Sequence, residues 1–272
     1  MNKRKICILV TVVSTLLLLL YELGGRGLIL DGLSDATQKN LTDMTVTRAL
    51  GGIIFLALLI HLDYHVRNPV KEPFGRSILF ALPAIAVVVN NLPIYPLLTG
   101  LARVTASGGM IWLLALECFC IGLFEEACFR GVILLGFLEK RRATKKGQLF
   151  AILLSSAVFG AIHLVNLFFG ASPVAVLMQI GYSFLIGAMC SVVLLKTANL
   201  WLCVLLHATF DFCGALVPTL GDGRIWEPFT VTLTVLIALA TTVFYTVAFF
   251  KIRPEELDRI YKKQSPAYER GL

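Results

Sequence analysis

The stretch GGMIWLLALECFCIGLFEEACFRGVILLGFL, residues 108–138, decides how the rest of this chain is read. It is apolar almost throughout, yet Glu117, Glu125, Glu126 and Arg130 stand inside it. A bilayer-spanning helix needs about 20 apolar residues. The run exceeds that length, so it is expected to be tilted or broken. Ionisable side chains at such depth are costly and mark function by default. Residues four apart share a helix face, so Glu126 and Arg130 can pair. Glu125 sits about 100° around the helix, and Phe129 occupies its own i+4 position. Glu125 is therefore the freer carboxylate.

Outward from this stretch, seven further apolar segments approach the length of a span, near 6–22, 48–64, 77–98, 149–169, 173–195, 199–218 and 228–250. Pro83, Pro93 and Pro96 are expected to kink or end the third span. The chain has 272 residues, 57% hydrophobic and 15% charged, with a mean hydropathy of +0.82. A soluble domain carries about a quarter charged residues. The expected fold is all-α, a polytopic membrane protein of about eight transmembrane helices. The first apolar run follows Lys3, Arg4 and Lys5, and Tyr21, Glu22 and Leu23 come after it rather than a small-x-small cleavage site. A retained first span is expected instead of a signal peptide. The tail after Phe250 is expected to be a surface helix or disordered.

The net charge of +7 belongs with membrane orientation and not with nucleic acid. With the N-terminus in the cytoplasm, 18 of the 24 Lys and Arg residues fall in cytoplasmic segments, among them Arg67, Lys71, Arg76, Lys140, Arg141, Arg142, Lys145, Lys146 and Lys196. The opposite side holds Arg26, Lys39, Arg48, Arg103 and Arg224. Positive residues concentrate on the inside, which predicts N-in and C-in. Seven cysteines, all in apolar runs and without a C-x-x-C pair, read as buried small hydrophobes.

Three separate spans place ionisable groups at one depth. Helical rise puts Glu126 ~18 Å, His163 ~21 Å, His207 ~12 Å and Asp211 ~18 Å from the cytoplasmic ends, within one slab of a core about 30 Å thick. His207 and Asp211 lie four apart, so the carboxylate can orient one ring nitrogen. Isolated polar residues often serve as contacts between helices, but accidents would not be expected to align in this way. His61 and His65 also stand four apart, yet Leu62, Asp63 and Tyr64 between them lack the glutamate of H-E-x-x-H. That pair reads as interfacial.

Glu125-Glu126-Ala127-Cys128-Phe129-Arg130, then Phe159-Gly160-Ala161-Ile162-His163, then His207-Ala208-Thr209-Phe210-Asp211 stand in an order that resembles the CAAX-protease and bacteriocin-processing (CPBP, or Abi) family of intramembrane endopeptidases. The segment Lys196-Thr197-Ala198-Asn199-Leu200-Trp201 ahead of the third motif is also similar to the family's. Each motif is weak alone and the ordered set is strong. The resemblance covers roughly residues 108–217. It implies a membrane-embedded peptidase in which Glu125 and His163 activate water, while His207 and residue 211 steady the oxyanion. Many members carry Asn at the last position, and Asp211 departs from them. An ionised carboxylate cannot donate a hydrogen bond, so Asp211 would orient His207 or ligate a metal. The resemblance leaves both a metal-dependent and a glutamate-dependent reaction open. Two histidines and a carboxylate, His163, His207 and Asp211, could hold a divalent metal such as zinc with one open position.

The expected organisation is N-terminal transmembrane helices over 1–107, a catalytic core over 108–217, and a last span with cytoplasmic tail over 218–272. The expected function is an intramembrane endopeptidase acting on a peptide or membrane-protein substrate near the cytoplasmic half of the bilayer, in a bacterial cell membrane. A transporter or proton relay, or a non-catalytic scaffold, would use the same buried ionisable residues.

Overall fold

The computed structural model describes residues 9–14, 16, 17, 21, 35–66 and 74–261. Of the first apolar run, near 6–22, residues 9–14, 16, 17 and 21 are described and are helical, and the rest lie outside the described residues.

Helix α1, Ala36–Leu62, starts where the Asp35 carboxylate accepts from the backbone N–H of Gln38 at 2.6 Å. It begins a dozen residues before the apolar segment does. Thr42, Thr45 and Thr47 turn their hydroxyls back to carbonyls one turn earlier, which lets polar residues ride on the helix. Arg48, assigned above to a connecting segment, is therefore a mid-helix residue. Helix α2, Phe74–Asn90, runs on through Pro83 and stops at Asn90. Pro93 then precedes the short α3, Ile94–Thr99, which contains Pro96. Of the three prolines expected to break this span, only the later two lie beyond its end.

The decisive stretch is one continuous helical path in three parts: α4 over Gly108–Glu125, a π-helical segment over Glu126–Leu134, and α5 over Leu135–Leu138. The widened turns carry Glu126 and Arg130, and wide turns of this kind recur at functional sites. Helix α6, Lys145–Ala161, tightens into a 3-10 segment at Ile162–Phe169. Helix α7, Pro173–Thr197, follows, capped by Ser172 with Pro173 in its first turn. Ala198 then adopts φ 52° and Asn199 caps α8, Leu200–Leu220, by accepting from Leu202 N–H at 3.2 Å. Helix α9, Pro228–Lys251, and the short α10, Pro254–Tyr261, complete the described chain. A two-stranded antiparallel pair, β1 (Ala102–Val104) with β2 (Gly221–Gly223), sets Arg103 opposite Asp222. Strands of three residues are too short for alternation to announce.

Helix α4 is central: α1 packs along one side and α8 along the other, while α6 pairs with α7 and α2 with α9. The α4–α8 contact depends on Gly122, where a Cβ would stand 2.9 Å from the Val204 carbonyl oxygen. Small residues let membrane helices approach closely. The buried core includes Phe55, Leu59, Ala127, Leu134, Phe159 and Leu194. The outer face is apolar, with Leu98, Trp112, Phe168, Val174 and Val243 strongly exposed. Five described helices are long and apolar enough to cross a membrane: α1, α6 with its 3-10 extension, α7, α8 and α9. An outer surface of this kind suits lipid and not water, so the chain is an all-α integral membrane protein apart from the one small strand pair.

The tail helix α10 docks on the bundle end where α1, α5 and α7 finish. Leu257 and Ile260 are fully buried there. His65 N–H donates to the Ile260 carbonyl, and the Tyr261 hydroxyl to the Leu135 carbonyl, both at 2.8 Å. Of the two expected states for the tail, residues 254–261 take the helical one.

Candidate active site

His207 lies at the centre of the buried polar groups. It sits on α8 and is 4% exposed. Its Nδ1 is 2.6 Å from Glu126 Oε1. The same oxygen lies 3.0 Å from an Arg130 guanidinium nitrogen. Its Nε2 is 3.4 Å from Glu125 Oε2 and 3.4 Å from Asp211 Oδ2. A carboxylate held by arginine accepts and does not donate, so Nδ1 carries the proton toward Glu126. The other nitrogen faces the two remaining acids.

The wide π turns let Glu125 and Glu126, adjacent in sequence, reach opposite nitrogens of one ring. Glu126 and Arg130 are buried to within 1%, whereas the side chains of Glu125 and Asp211 keep 16% and 28% exposure. The Arg130 guanidinium also lies over the Phe159 ring, 4.3 Å from its centroid, and such desolvated cation–π contact is favourable. Gly187 leaves it room, since a Cβ there would stand 3.0 Å from Arg130. Phe159 in turn meets His163 and His207 edge-on, at 5.4 Å and 5.6 Å between centroids.

His163 opens the 3-10 segment. Its Nδ1 is 3.0 Å from the Phe159 carbonyl oxygen, which can only accept, so Nδ1 bears the proton and Nε2 of the neutral ring is left as an acceptor.

Glu125, His163, His207 and Asp211 all line one cavity of about 990 Å³. Its wall is mostly apolar, with Asn91, Asn166, Gln179 and Tyr182 among its polar members. The volume is in the range of sites that take small organic or peptide ligands.

All six anticipated residues are thus present in one region, but with altered partners. The Glu126–Arg130 pair forms as the helical spacing suggested. His207 meets Asp211, yet its shortest carboxylate contact is Glu126, from a different helix. Glu125, the freer carboxylate, faces His207 from 3.4 Å. Two further cavity residues escaped sequence reasoning. Arg48 was hidden by the late estimate for the start of α1, and Tyr182 carries no charge to mark it. Glu117 also lines the cavity. The sequence offers His163, His207 and Asp211 as metal ligands. Among the described residues no group of three His, Cys, Asp or Glu side chains is disposed to hold a metal ion.

Fold and site together define an α-helical membrane protein with carboxylate, imidazole and guanidinium groups gathered beside an internal cavity. Residues 107–213 match the family model described as Rce1-like, type II CAAX prenyl endopeptidase Rce1-like, and this segment holds all six of the gathered ionisable residues. No curated protein and no solved structure matches the chain.

Proposed function

We propose that this protein is an intramembrane endopeptidase, of CAAX or peptide-processing type, that hydrolyses a peptide bond near the cytoplasmic half of a bacterial membrane. The observation that carries this reading is the convergence of Glu125, Glu126 and Asp211 on His207 beside a cavity that His163 also lines. The family match supports the same class of reaction.

Hydrolysis within a membrane needs a polar cavity, a base and stabilisation for the intermediate. In this mechanism Glu125 takes a proton from a water that His163 Nε2 helps to hold. The water oxygen bonds to the scissile carbonyl carbon, and the π pair moves onto the carbonyl oxygen. His207, once protonated on Nε2 as well, donates to that oxyanion. Collapse restores the carbonyl and breaks the C–N bond, and the proton held by Glu125 passes to the leaving nitrogen. Glu126 holds His207 in register and is itself held by Arg130. A divalent metal, if held by His163, His207 and Asp211, would supply Lewis-acid activation of the same water. The catalytic core is residues 108–217, with flanking helices before and after it.

The test is incubation of the purified, liposome-reconstituted protein with a diverse peptide library that includes prenylated CAAX peptides, read by mass spectrometry with and without chelator. Peptide cleavage is expected; persistence in chelator points to a glutamate-dependent reaction, and loss on chelation with recovery on added zinc to a metal-dependent one. No cleavage, together with proton or solute flux across the vesicles, would replace the protease by a relay or transporter.

A further inference from the structure

We propose that Tyr182 is a catalytic residue whose hydroxyl donates a hydrogen bond to the oxyanion of the tetrahedral intermediate; this rests on the endopeptidase reading above. An oxyanion is stabilised by preorganised donors, and a single missing donor costs heavily in rate. In this cavity several of the donors nearest the acids are already engaged. The Nδ1 protons of His163 and His207 are committed to the Phe159 carbonyl and to Glu126. The Asn91 amide donates to the Phe210 carbonyl at 2.7 Å and the Asn166 amide to Gln179 at 2.8 Å. Asp211, when ionised, has no proton to give. His207 Nε2 alone would leave the oxyanion with a single donor.

Tyr182 lines the same cavity from α7. Its ring lies 6.1 Å from that of Phe210, the residue beside Asp211, at an angle of 51°. Tyr182 shares the cavity wall with Glu125 and Asp211, the two acids whose oxygens lie 3.4 Å from His207 Nε2. A phenol is a neutral donor that can turn toward a negative oxygen without bringing a charge of its own. Tyr182 therefore supplies the second donor that a carboxylate at position 211 does not.

The experiment compares wild type, Tyr182→Phe, Asp211→Asn and the double variant on any peptide that wild type cleaves from the library. Near-ultraviolet circular dichroism in liposomes checks each fold, and Phe keeps the ring contact with Phe210. Tyr182→Phe is expected to lower kcat about 100- to 1,000-fold with KM little changed, the mark of an interaction made only in the transition state. Adding Asp211→Asn to Tyr182→Phe should then recover activity, because an amide at 211 can donate where the carboxylate cannot. Tyr182→Phe cleaving at the wild-type rate overturns the proposal and leaves the protease reading standing. A loss that Asn at 211 does not restore makes Tyr182 a packing residue and also overturns it. A wild-type protein that cleaves no peptide removes the protease reading, and the role of Tyr182 with it.

Discussion

Oε1 of Glu126 is shared: it lies 2.6 Å from His207 Nδ1 and 3.0 Å from Arg130, while Oε2 of the same carboxylate is buried without a hydrogen-bond partner. In the proposed mechanism a carboxylate so held is a positioning group, because both of its neighbours depend on it. Its neighbour Glu125 keeps cavity exposure and a single 3.4 Å approach to His207. The two glutamates of one dipeptide are thus fitted to different work by the turn of the helix between them.

Arg130→Ala would leave Glu126 as an uncompensated buried charge, a loss of about 3–5 kcal/mol. Folded yield in detergent and the thermal midpoint should both fall, and activity with them. A well-folded and fully active Arg130→Ala protein would contradict the assignment.

Glu125→Gln retains shape and removes the base. Peptide cleavage by the folded variant should drop at least about 100-fold. His163→Ala should do comparable damage, and the double variant should be little worse than either single, because the two act as a unit. Near wild-type cleavage by Glu125→Gln would sink this mechanism.

Gly187→Ala tests the packing around Arg130. The added methyl would lie 3.0 Å from the guanidinium and 3.2 Å from both Phe159 and Ser156. Overpacking of this sort costs about 1–3 kcal/mol, so a lower thermal midpoint is expected along with reduced cleavage. An unchanged midpoint would show that Arg130 has room to move.

The docking of α10 should depend on pH. Glu256 is raised by partial burial but pulled lower by hydrogen bonds from Lys196 and from the Arg253 backbone, with a net fall below its ordinary 4.5. A depressed carboxylate stabilises the folded form above its unfolded value, and that contribution is lost as pH falls through the folded value. Hydrogen exchange at Leu257 and Ile260 should therefore quicken below about pH 4.5, and Glu256→Gln should remove that dependence.

Topology is testable by reporter fusion. Both termini are predicted to face the cytoplasm, because 18 of 24 basic residues then fall on that side. Fusions at residue 35 and at the C-terminus should report opposite compartments. A C-terminal reporter active only outside the cytoplasm would overturn the eight-span arrangement.

Membrane residence and the helical class were legible in the sequence, and so was the set of ionisable side chains that gather inside the bundle. Lipid imposes a long apolar run on every spanning helix, and a charge inside such a run is conspicuous. The Glu126–Arg130 pair was legible too, because i and i+4 on one helix are neighbours whatever surrounds them. What the string of residues left open was which groups meet across helices. His207 meets Glu126, separated by 81 positions in the chain, through the π-helical widening of the turn and the close α4–α8 approach at Gly122. Helical periodicity carries neither fact. The start of α1 at Ala36 was hidden because capping and threonine back-bonding, and not hydropathy, set it. Arg48 and Tyr182 came to the cavity wall by the same route, since packing between helices, and not spacing along one of them, decides what faces a shared space.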